Sequence, residues 1–410
     1  PCVIGPVALA DPLVEFVKGC NQAGAHVSWD GPQIVCRQGE GMAMDGVSLF
    51  AGASERGFSL LLAAAIASQA NCRFSGGAEL KMLDVGPYAR LLPQLGARLA
   101  PIDRRAPGLP VRLEAGGETP RDVQLPDECP EELAAGLLLF AWRFEKGLRL
   151  TFTPGTPASR GVIEAAPVLA LCGLSVRLAP DSAEVRAGQP VIPTEPALPA
   201  DPFISALFLS MARFRGGAVR LQGLPDMDSP LAADALALLE TAGTEVVITG
   251  NSMQAKASNW PAAPVFTPRS PESLPLALCL AAAAARGARV ELPQVGVDGI
   301  WNDEARDFLD SLGKDCEALT LEDGRDALNV APGFGEVRPV HAPDAAYALA
   351  MGALSLSKSP LALENPGIAA TLWPGFWNMF NRLPAMSGSL FARKEIPDDV
   401  PTPRRRIKVR

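Results

Sequence analysis

The sequence predicts an α/β fold made of repeated units in two domains. An apolar helix and an amphipathic helix, each running into a strand, recur about five times along the 410 residues, and such a long period is typical of repeat architectures. The amphipathic helices end on glycine at equivalent positions, and a proline-rich stretch separates two halves with similar numbers of units. A chain of this length is able to bury two cores of about 200 residues each.

The first half of each unit is a helix that is apolar on nearly all sides, followed by a strand. Such a helix belongs inside a domain. None of these helices reaches the roughly 20 apolar residues of a membrane span, so we expect a soluble chain with no membrane partner. The five stretches are 60–76, 133–155, 204–223, 274–294 and 347–367.

The second half is an amphipathic helix that carries charged side chains on one face and should lie outside. The five stretches are 16–27, 91–99, 168–178, 236–248 and 308–319. A glycine stands where each helix needs a left-handed C-cap, a conformation that only glycine adopts without steric cost. These glycines are Gly24, Gly96, Gly173, Gly243 and Gly313.

The prolines of residues 188–202 fit neither a helix nor a central strand, so this stretch is expected to connect the two domains. We predict a first domain at 1–192, with an incomplete set of three repeats, and a second at 200–390, with three repeats. Residues 391–410 form a basic tail, either a solvated segment or a phosphate-binding arm.

Charge and cysteine content exclude several classes of protein. The net charge of −8 argues against nucleic acid as a partner, because phosphate binding requires excess Lys and Arg. The eight cysteines are dispersed without a CxxC pair, as expected in a reducing compartment. Neither His26 nor His341 has a metal-binding set around it, and no glycine-rich phosphate loop occurs. We therefore expect a cytoplasmic protein without metal or cofactor.

The repeat order, with Ala- and Leu-rich buried helices and outer helices that end in turns such as Leu95–Gly96–Ala97, resembles the enolpyruvyl transferase family, in particular its enolpyruvylshikimate-phosphate synthases. The resemblance implies two inside-out α/β barrels built from repeated βαβαββ units, with the active site between them. It also implies transfer of the carboxyvinyl group of phosphoenolpyruvate to shikimate 3-phosphate in chorismate biosynthesis. Both substrates are small anions, and a monomer is expected.

The family's opening Lys motif, at the head of the first buried helix, has no counterpart here. Residues 1–27 match the strand and outer helix that follow it. Because an absent core helix would expose apolar surface, we expect an upstream segment or a substitute that covers the gap.

In the first domain, the resemblance assigns phosphoenolpyruvate binding to Ser54 and Arg56, although Arg56 is out of the family's register. Ser54 is alternatively an N-cap. Ser159 and Arg160 match the family's phosphate-contact turn, and Ser159 is also open to an N-cap interpretation. The family's Ser-Ser-Gln phosphate site is replaced by Pro130–Glu131–Glu132, whose carboxylates would repel a phosphate.

In the second domain, Glu272 stands where the family has a catalytic Asp, and it is alternatively a first-turn acid that complements the helix dipole. Residues 302–306 keep the spacing of the family's Lys-Glu-x-x-Arg, which makes Asp303 catalytic and Arg306 substrate-binding. An alignment anchored on Gly313 instead places Trp301 at the Arg position and removes that match.

Two further acids, Asp201 and Asp344, are assigned to substrate binding by the resemblance. Two cations of the family are replaced nearby: Ala346 stands in place of an Arg and Thr371 in place of a Lys. Losing the Arg removes a carboxylate clamp on phosphoenolpyruvate.

Two functions from different classes follow. The first is a carboxyvinyl transferase of the shikimate pathway with an altered cleft. The alternative is a catalytically silent paralogue that keeps the fold and binds a small anion or a protein partner. The RNA-phosphate cyclases also use repeated α/β units, but the acidic charge argues against them.

Overall fold

The computed structural model describes residues 2–37, 41–103, 105–153, 158–192, 195–196, 198–293, 300–336, 338–357 and 361–383. It describes only the backbone of Arg160, Ile300, Trp301 and Asn302. Contacts between Cα atoms divide the chain into two compact units, Pro1–Pro374 and Gly375–Arg410. The division into domains at 192 and 200 stays a prediction, and the proposed tail at 391–410 lies outside the described residues.

The chain starts with a three-stranded antiparallel sheet and one helix. Strand β1 (Cys2–Ile4) is followed by α1 (Asp11–Gln22), β2 (His26–Asp30) and β3 (Gln33–Arg37). The sheet order is β1-β3-β2. Helix α1 is the outer helix predicted over 16–27, and it begins on Asp11–Pro12, a pair suited to a first helical turn.

The second sheet has the full βαβαββ order. Strand β4 (Ser48–Phe50) leads through α2 (Glu55–Ala67) to β5 (Cys72–Ser75), which pairs with β4 in parallel. Two short helices and two antiparallel strands complete the unit, namely α3 (Ala78–Lys81), α4 (Gly86–Leu91), β6 (Ala97–Pro101) and β7 (Val111–Ala115). The sheet order is β4-β5-β7-β6.

The third sheet repeats this order. Strand β8 (Asp122–Gln124) leads through α5 (Glu131–Leu139) to the parallel strand β9 (Leu148–Thr151). Helix α6 (Arg160–Leu171) and the hairpin of β10 (Val176–Ala179) and β11 (Ser182–Val185) follow, in the sheet order β10-β11-β9-β8.

The fourth sheet resembles the first. Helix α7 (Pro202–Arg215) precedes β12 (Ala218–Gln222), and α8 (Pro230–Thr241) precedes β13 (Thr244–Thr249) and β14 (Ser252–Ala257). The sheet order is β12-β14-β13. A parallel bridge between Ala200 and Pro225 stands where the second and third units have a parallel strand pair.

The fifth sheet again follows βαβαββ. Strand β15 (Val265–Phe266) leads through α9 (Leu274–Ala283) to the parallel strand β16 (Ala288–Glu291). The unit continues with α10 (Ile300–Ser311), β17 (Cys316–Thr320) and β18 (Asp326–Val330).

A sixth unit begins with a parallel bridge between Val340 and Leu363, around the buried helix α11 (Ala345–Leu354). A 3₁₀ turn follows at Pro366–Thr371. In the second compact unit, the described residues form one short helix, α12 (Phe376–Phe380), in which Phe376 stacks on Phe380.

The predicted burial of the apolar helices is confirmed in α2 and α9. Every residue of α9 from Leu274 to Ala282 is buried, as are nine of the thirteen residues of α2. The five predicted C-cap glycines all have a positive φ, between 64° and 88°. The repeat was predictable from the sequence because the left-handed glycine caps and the wholly apolar helices recur together.

The parallel strand pairs explain where the helices begin. A buried helix that joins two parallel strands starts beyond the carboxyl end of the first strand. Helix α2 belongs to the second sheet and α5 and α6 to the third, and the first turns of all three line one small groove. A Cβ atom at Gly161 would lie 2.7 Å from the carbonyl oxygen of Glu131, so only glycine permits α6 to start this close to α5.

Candidate active site

A depression of about 540 Å³ lies where α7, α9 and α11 begin. We call it the acidic depression, because three carboxylates line it. The described residues along its wall are Asp201, Phe203, Leu231, Pro271, Glu272, Pro275, Asp344, Ala345, Ala346, Tyr347, Thr371 and Leu372. It brings together three of the predicted site residues, namely Glu272, Asp201 and Asp344.

Asp201 and Asp344 each cap a helix. The Asp201 carboxylate accepts a hydrogen bond from the Ile204 amide at 2.7 Å, at the start of α7. The Asp344 carboxylate accepts from the amides of Ala346 at 2.7 Å and Tyr347 at 3.1 Å, at the start of α11. An N-cap Asp satisfies amides that have no partner within the helix and complements the helix dipole.

Glu272 lies in a 3₁₀ turn, Pro271–Ser273, that leads directly into α9. The turn is closed by the Ser273 amide, which donates to the Ser270 carbonyl at 3.1 Å. Glu272 precedes α9, as an acid that complements the helix dipole would, and it also lines the acidic depression, as a catalytic acid would. The position is therefore compatible with both interpretations.

The rest of the wall includes the positions where the resemblance predicted lost cations. Ala346 and Thr371 both line the depression, and the Thr371 hydroxyl donates to the Ile368 carbonyl at 2.8 Å. Tyr347 is buried, and burial raises the pKa of its phenol well above the ordinary value, with the Asp344 carboxylate adding to the effect.

The carboxylates decide which ligand groups fit. Two unit charges about 6 Å apart in an effective dielectric of about 20 interact by about 3 kcal/mol. Each carboxylate therefore opposes a phosphate or carboxylate group in the depression by a comparable amount. The same carboxylates are suited to accept hydrogen bonds from hydroxyl groups and to exchange protons with them.

A second group of predicted residues lies at the starts of α2, α5 and α6. The Ser54 hydroxyl accepts from the Gly57 amide at 3.3 Å and caps α2. The Ser159 hydroxyl accepts from the Val162 amide at 3.4 Å and caps α6. The N-cap alternative holds for both serines, and their phosphate contacts stay predictions.

The Arg56 side chain is paired with a carboxylate of the same chain. Its guanidinium forms an ion pair with the Glu132 carboxylate at 3.2 Å, and both side chains line a small groove of about 150 Å³ between α2, α5 and α6. Glu132 is one of the two carboxylates that replace the family's phosphate site. The side chain of Arg160 lies outside the described residues.

The structure does not bring Asp303 and Arg306 to the acidic depression. They line a different depression of about 570 Å³, here the outer depression, between α10 and β17. Burial raises the pKa of the Cys316 thiol, and the nearby Arg306 guanidinium opposes part of this rise. Helix α10 starts at Ile300, and the roles of Asp303 and Arg306 stay predictions, as does the alternative alignment anchored on Gly313.

Lys314, in the outer depression, is 2% exposed. Its ammonium donates to the Gly333 carbonyl and lies 4.6 Å from the centre of the Phe334 ring. Burial lowers the pKa of Lys314 to about 8, and the nearby Asp315 carboxylate opposes part of this shift.

One buried acid was missed by sequence reasoning. Asp234 of α8 is 4% exposed, and its carboxylate accepts hydrogen bonds from the segment that leads to Glu272. An Asp among the apolar residues of 231–239 was a usable signal, because a carboxylate is rarely buried unless its hydrogen bonds are satisfied.

In the described part of the chain, no three His, Cys, Asp or Glu side chains are grouped so as to hold a metal ion. No helix among the described residues is long and apolar enough to cross a membrane.

Comparison with known proteins gives one curated relative and several solved structures. No protein-family model matches the chain. A 3-phosphoshikimate 1-carboxyvinyltransferase from Methanocorpusculum labreanum is 26% identical over 343 residues, which cover 80% of this chain and 77% of the relative.

Among solved structures, EPSP synthase from Acinetobacter baumannii matches with a TM-score of 0.70 at 17% identity, over 93% of this chain and 89% of that one. The enolpyruvyl transferase NikO from Streptomyces tendae matches with a TM-score of 0.66 at 18% identity, over 94% and 89%. These findings confirm the predicted two-domain inside-out α/β fold and the resemblance to the enolpyruvyl transferases.

Proposed function

We propose that this chain transfers the carboxyvinyl group of phosphoenolpyruvate to a hydroxyl group of shikimate 3-phosphate. The proposal is supported by the named activity of the curated relative and by the fold. The observation that carries it is the position of Glu272, which shares the acidic depression with Asp201 and Asp344.

The reaction needs a group that both accepts and donates protons. The acceptor hydroxyl oxygen bonds to C2 of phosphoenolpyruvate while its proton passes to a carboxylate, and a proton adds to the methylene carbon. Loss of a proton from the new methyl group then expels inorganic phosphate and leaves the carboxyvinyl ether. We assign the proton transfers to Glu272, because it stands at the entrance of α9 on the wall of the depression.

The other predicted residues divide between binding and support. Asp201 and Asp344 hold the starts of α7 and α11 and face the acceptor's hydroxyl groups. Arg56, Ser159 and Arg160, at the starts of α2 and α6, supply the phosphate contacts. Asp303 and Arg306 receive no step, because they line the outer depression.

The test is incubation of the protein with phosphoenolpyruvate and shikimate 3-phosphate. Turnover is measured by the release of inorganic phosphate, and the vinyl ether product is identified by NMR. Wild type should turn over, and Glu272→Gln should lower kcat by about 10²–10⁴-fold while ligand binding changes little. Glu245→Gln, an exposed acid of β13, is the matched control. Equal loss of kcat and binding would assign Glu272 a structural role.

A silent paralogue is the second candidate, and two observations favour it. Three carboxylates line the acidic depression, and Arg56 is paired with Glu132. Isothermal titration distinguishes the two functions. Heat with shikimate 3-phosphate but no vinyl ether under any condition would support the silent paralogue, and vinyl ether formation would exclude it.

A further inference from the structure

Asp234 connects helix α8 to the segment in front of α9. One carboxylate oxygen accepts from the Arg269 amide at 3.0 Å. The other accepts from the Arg269 amide at 3.0 Å and the Ser270 amide at 3.2 Å, and it lies 3.4 Å from the Ser270 hydroxyl. Four contacts thus join one buried side chain to two consecutive residues.

The contacts continue toward Glu272. The Ser270 hydroxyl lies 3.2 Å from the hydroxyl of Ser273, and the Ser273 amide donates to the Ser270 carbonyl at 3.1 Å. Ser273 is 1% exposed. Glu272 lies between these two serines in the 3₁₀ turn, so the backbone that carries it is held at both ends.

The chemistry of the side chain suits this task. A carboxylate is an acceptor on both oxygens, whereas an amide carries two donors on one side. Backbone N–H groups that converge on a buried carboxylate form strong, charge-assisted hydrogen bonds, which offset the cost of burying it. Such a group fixes a loop more tightly than a neutral hydrogen bond would.

We infer that Asp234 is a positioning residue for Glu272: by holding Arg269 and Ser270, it fixes the turn that places the Glu272 carboxylate in the acidic depression. This inference rests on the proposed function, in which Glu272 transfers protons. Asp234 itself is not assigned any contact with substrate.

A double-mutant cycle tests the inference. Asp234→Ala in the otherwise unchanged chain should lower kcat by about 10²-fold, the usual cost of a displaced catalytic group, with KM little changed. In a Glu272→Gln background, the same substitution should change kcat by less than about twofold, because Asp234 acts through the group already removed. Glu240→Gln, an exposed acid of the same helix, is the control. A loss of the same size in both backgrounds would overturn the inference.

A second variant covers misfolding. If Asp234→Ala does not fold, Asp234→Asn is used in the same cycle, since its amide oxygen still accepts while its NH₂ faces the donors. A smaller loss of kcat that again occurs only when Glu272 is present supports the inference. An equal loss of kcat in the Glu272→Gln background rejects it.

If wild type forms no product, the proposed function fails, and amide hydrogen exchange tests the placement of the turn by itself. Asp234→Ala or Asp234→Asn should speed exchange at the Ser273 amide by about tenfold, while Glu240→Gln should not. Unchanged exchange at Ser273 would show that Asp234 does not hold the turn.

Discussion

The Arg56 guanidinium, at the start of α2, lies 3.2 Å from the Glu132 carboxylate in the first turn of α5. The two residues are 76 positions apart in the sequence, and the fold brings the starts of their two helices together. Arg56 is 66% exposed and Glu132 25% exposed. An exposed pair of this kind contributes only about 0–1 kcal/mol to stability, so its main consequence under the proposed function is to engage a cation to which a phosphate contact is assigned.

Glu132→Gln should release Arg56 and tighten phosphoenolpyruvate binding by about tenfold, the effect of one charge-assisted hydrogen bond. Isothermal titration measures the change. Glu131→Gln is the matched control, because it removes a charge from the same helix turn without touching the pair. The gain should disappear in Arg56→Ala/Glu132→Gln, and an equal gain in Glu131→Gln would show that general charge, not the pair, is responsible.

Asp344→Ala should lower the free energy of unfolding by about 0.5–2 kcal/mol, because the amides of Ala346 and Tyr347 lose their acceptor. Asp344→Ser should restore most of the stability, since serine also caps helices. Urea denaturation of both variants measures the difference. Equal stability of the Ala and Ser variants would contradict the capping role.

Thr371→Lys should raise the affinity for phosphoenolpyruvate by about tenfold, because it adds a cation to a wall that carries three carboxylates. Thr371→Met has a side chain of similar length without the charge and serves as control. Titration with inorganic phosphate shows whether the gain extends to a simple oxyanion. An equal effect of Lys and Met would assign the change to packing.

Lys314 should make stability depend on pH. The folded chain loses this proton near pH 8, whereas the unfolded chain keeps it to about 10.5. Between these values the unfolded chain binds more protons, so the free energy of unfolding should rise with pH. Urea denaturation of wild type and Lys314→Met from pH 7 to 10 isolates this rise from the other titrating groups. Lys256→Met, an exposed lysine of β14, should keep it. Parallel curves for wild type and Lys314→Met would contradict the prediction.

The architecture was predictable because it depends on features that each segment carries by itself. Apolar helices such as Leu274–Ala283 and left-handed glycine caps such as Gly243 are local, and their repetition shows the order of the units. Glu272, Asp201 and Asp344 each stand at the start of a buried helix, and the structure brings these starts to one depression, while the roles of the three acids stay predictions.

Contacts between distant segments were not predictable in the same way. The Arg56–Glu132 pair and the contacts of Asp234 with residues 269 and 270 depend on side-chain directions that only packing decides. The Asp303–Arg306 spacing matched a motif by sequence, but both side chains line the outer depression, and Arg306 lies seven positions before Gly313.

The capping aspartates compete with any bound oxyanion for the backbone N–H groups at the helix starts. Asp201 and Asp344 already occupy backbone N–H groups that a free phosphate would use, and a tethered competitor acts at an effective concentration on the order of millimolar or higher. Replacing a capping Asp with Ser would retain the helix start while vacating the charge. Each such substitution would therefore lower the negative charge of the acidic depression by one, with the backbone left in place.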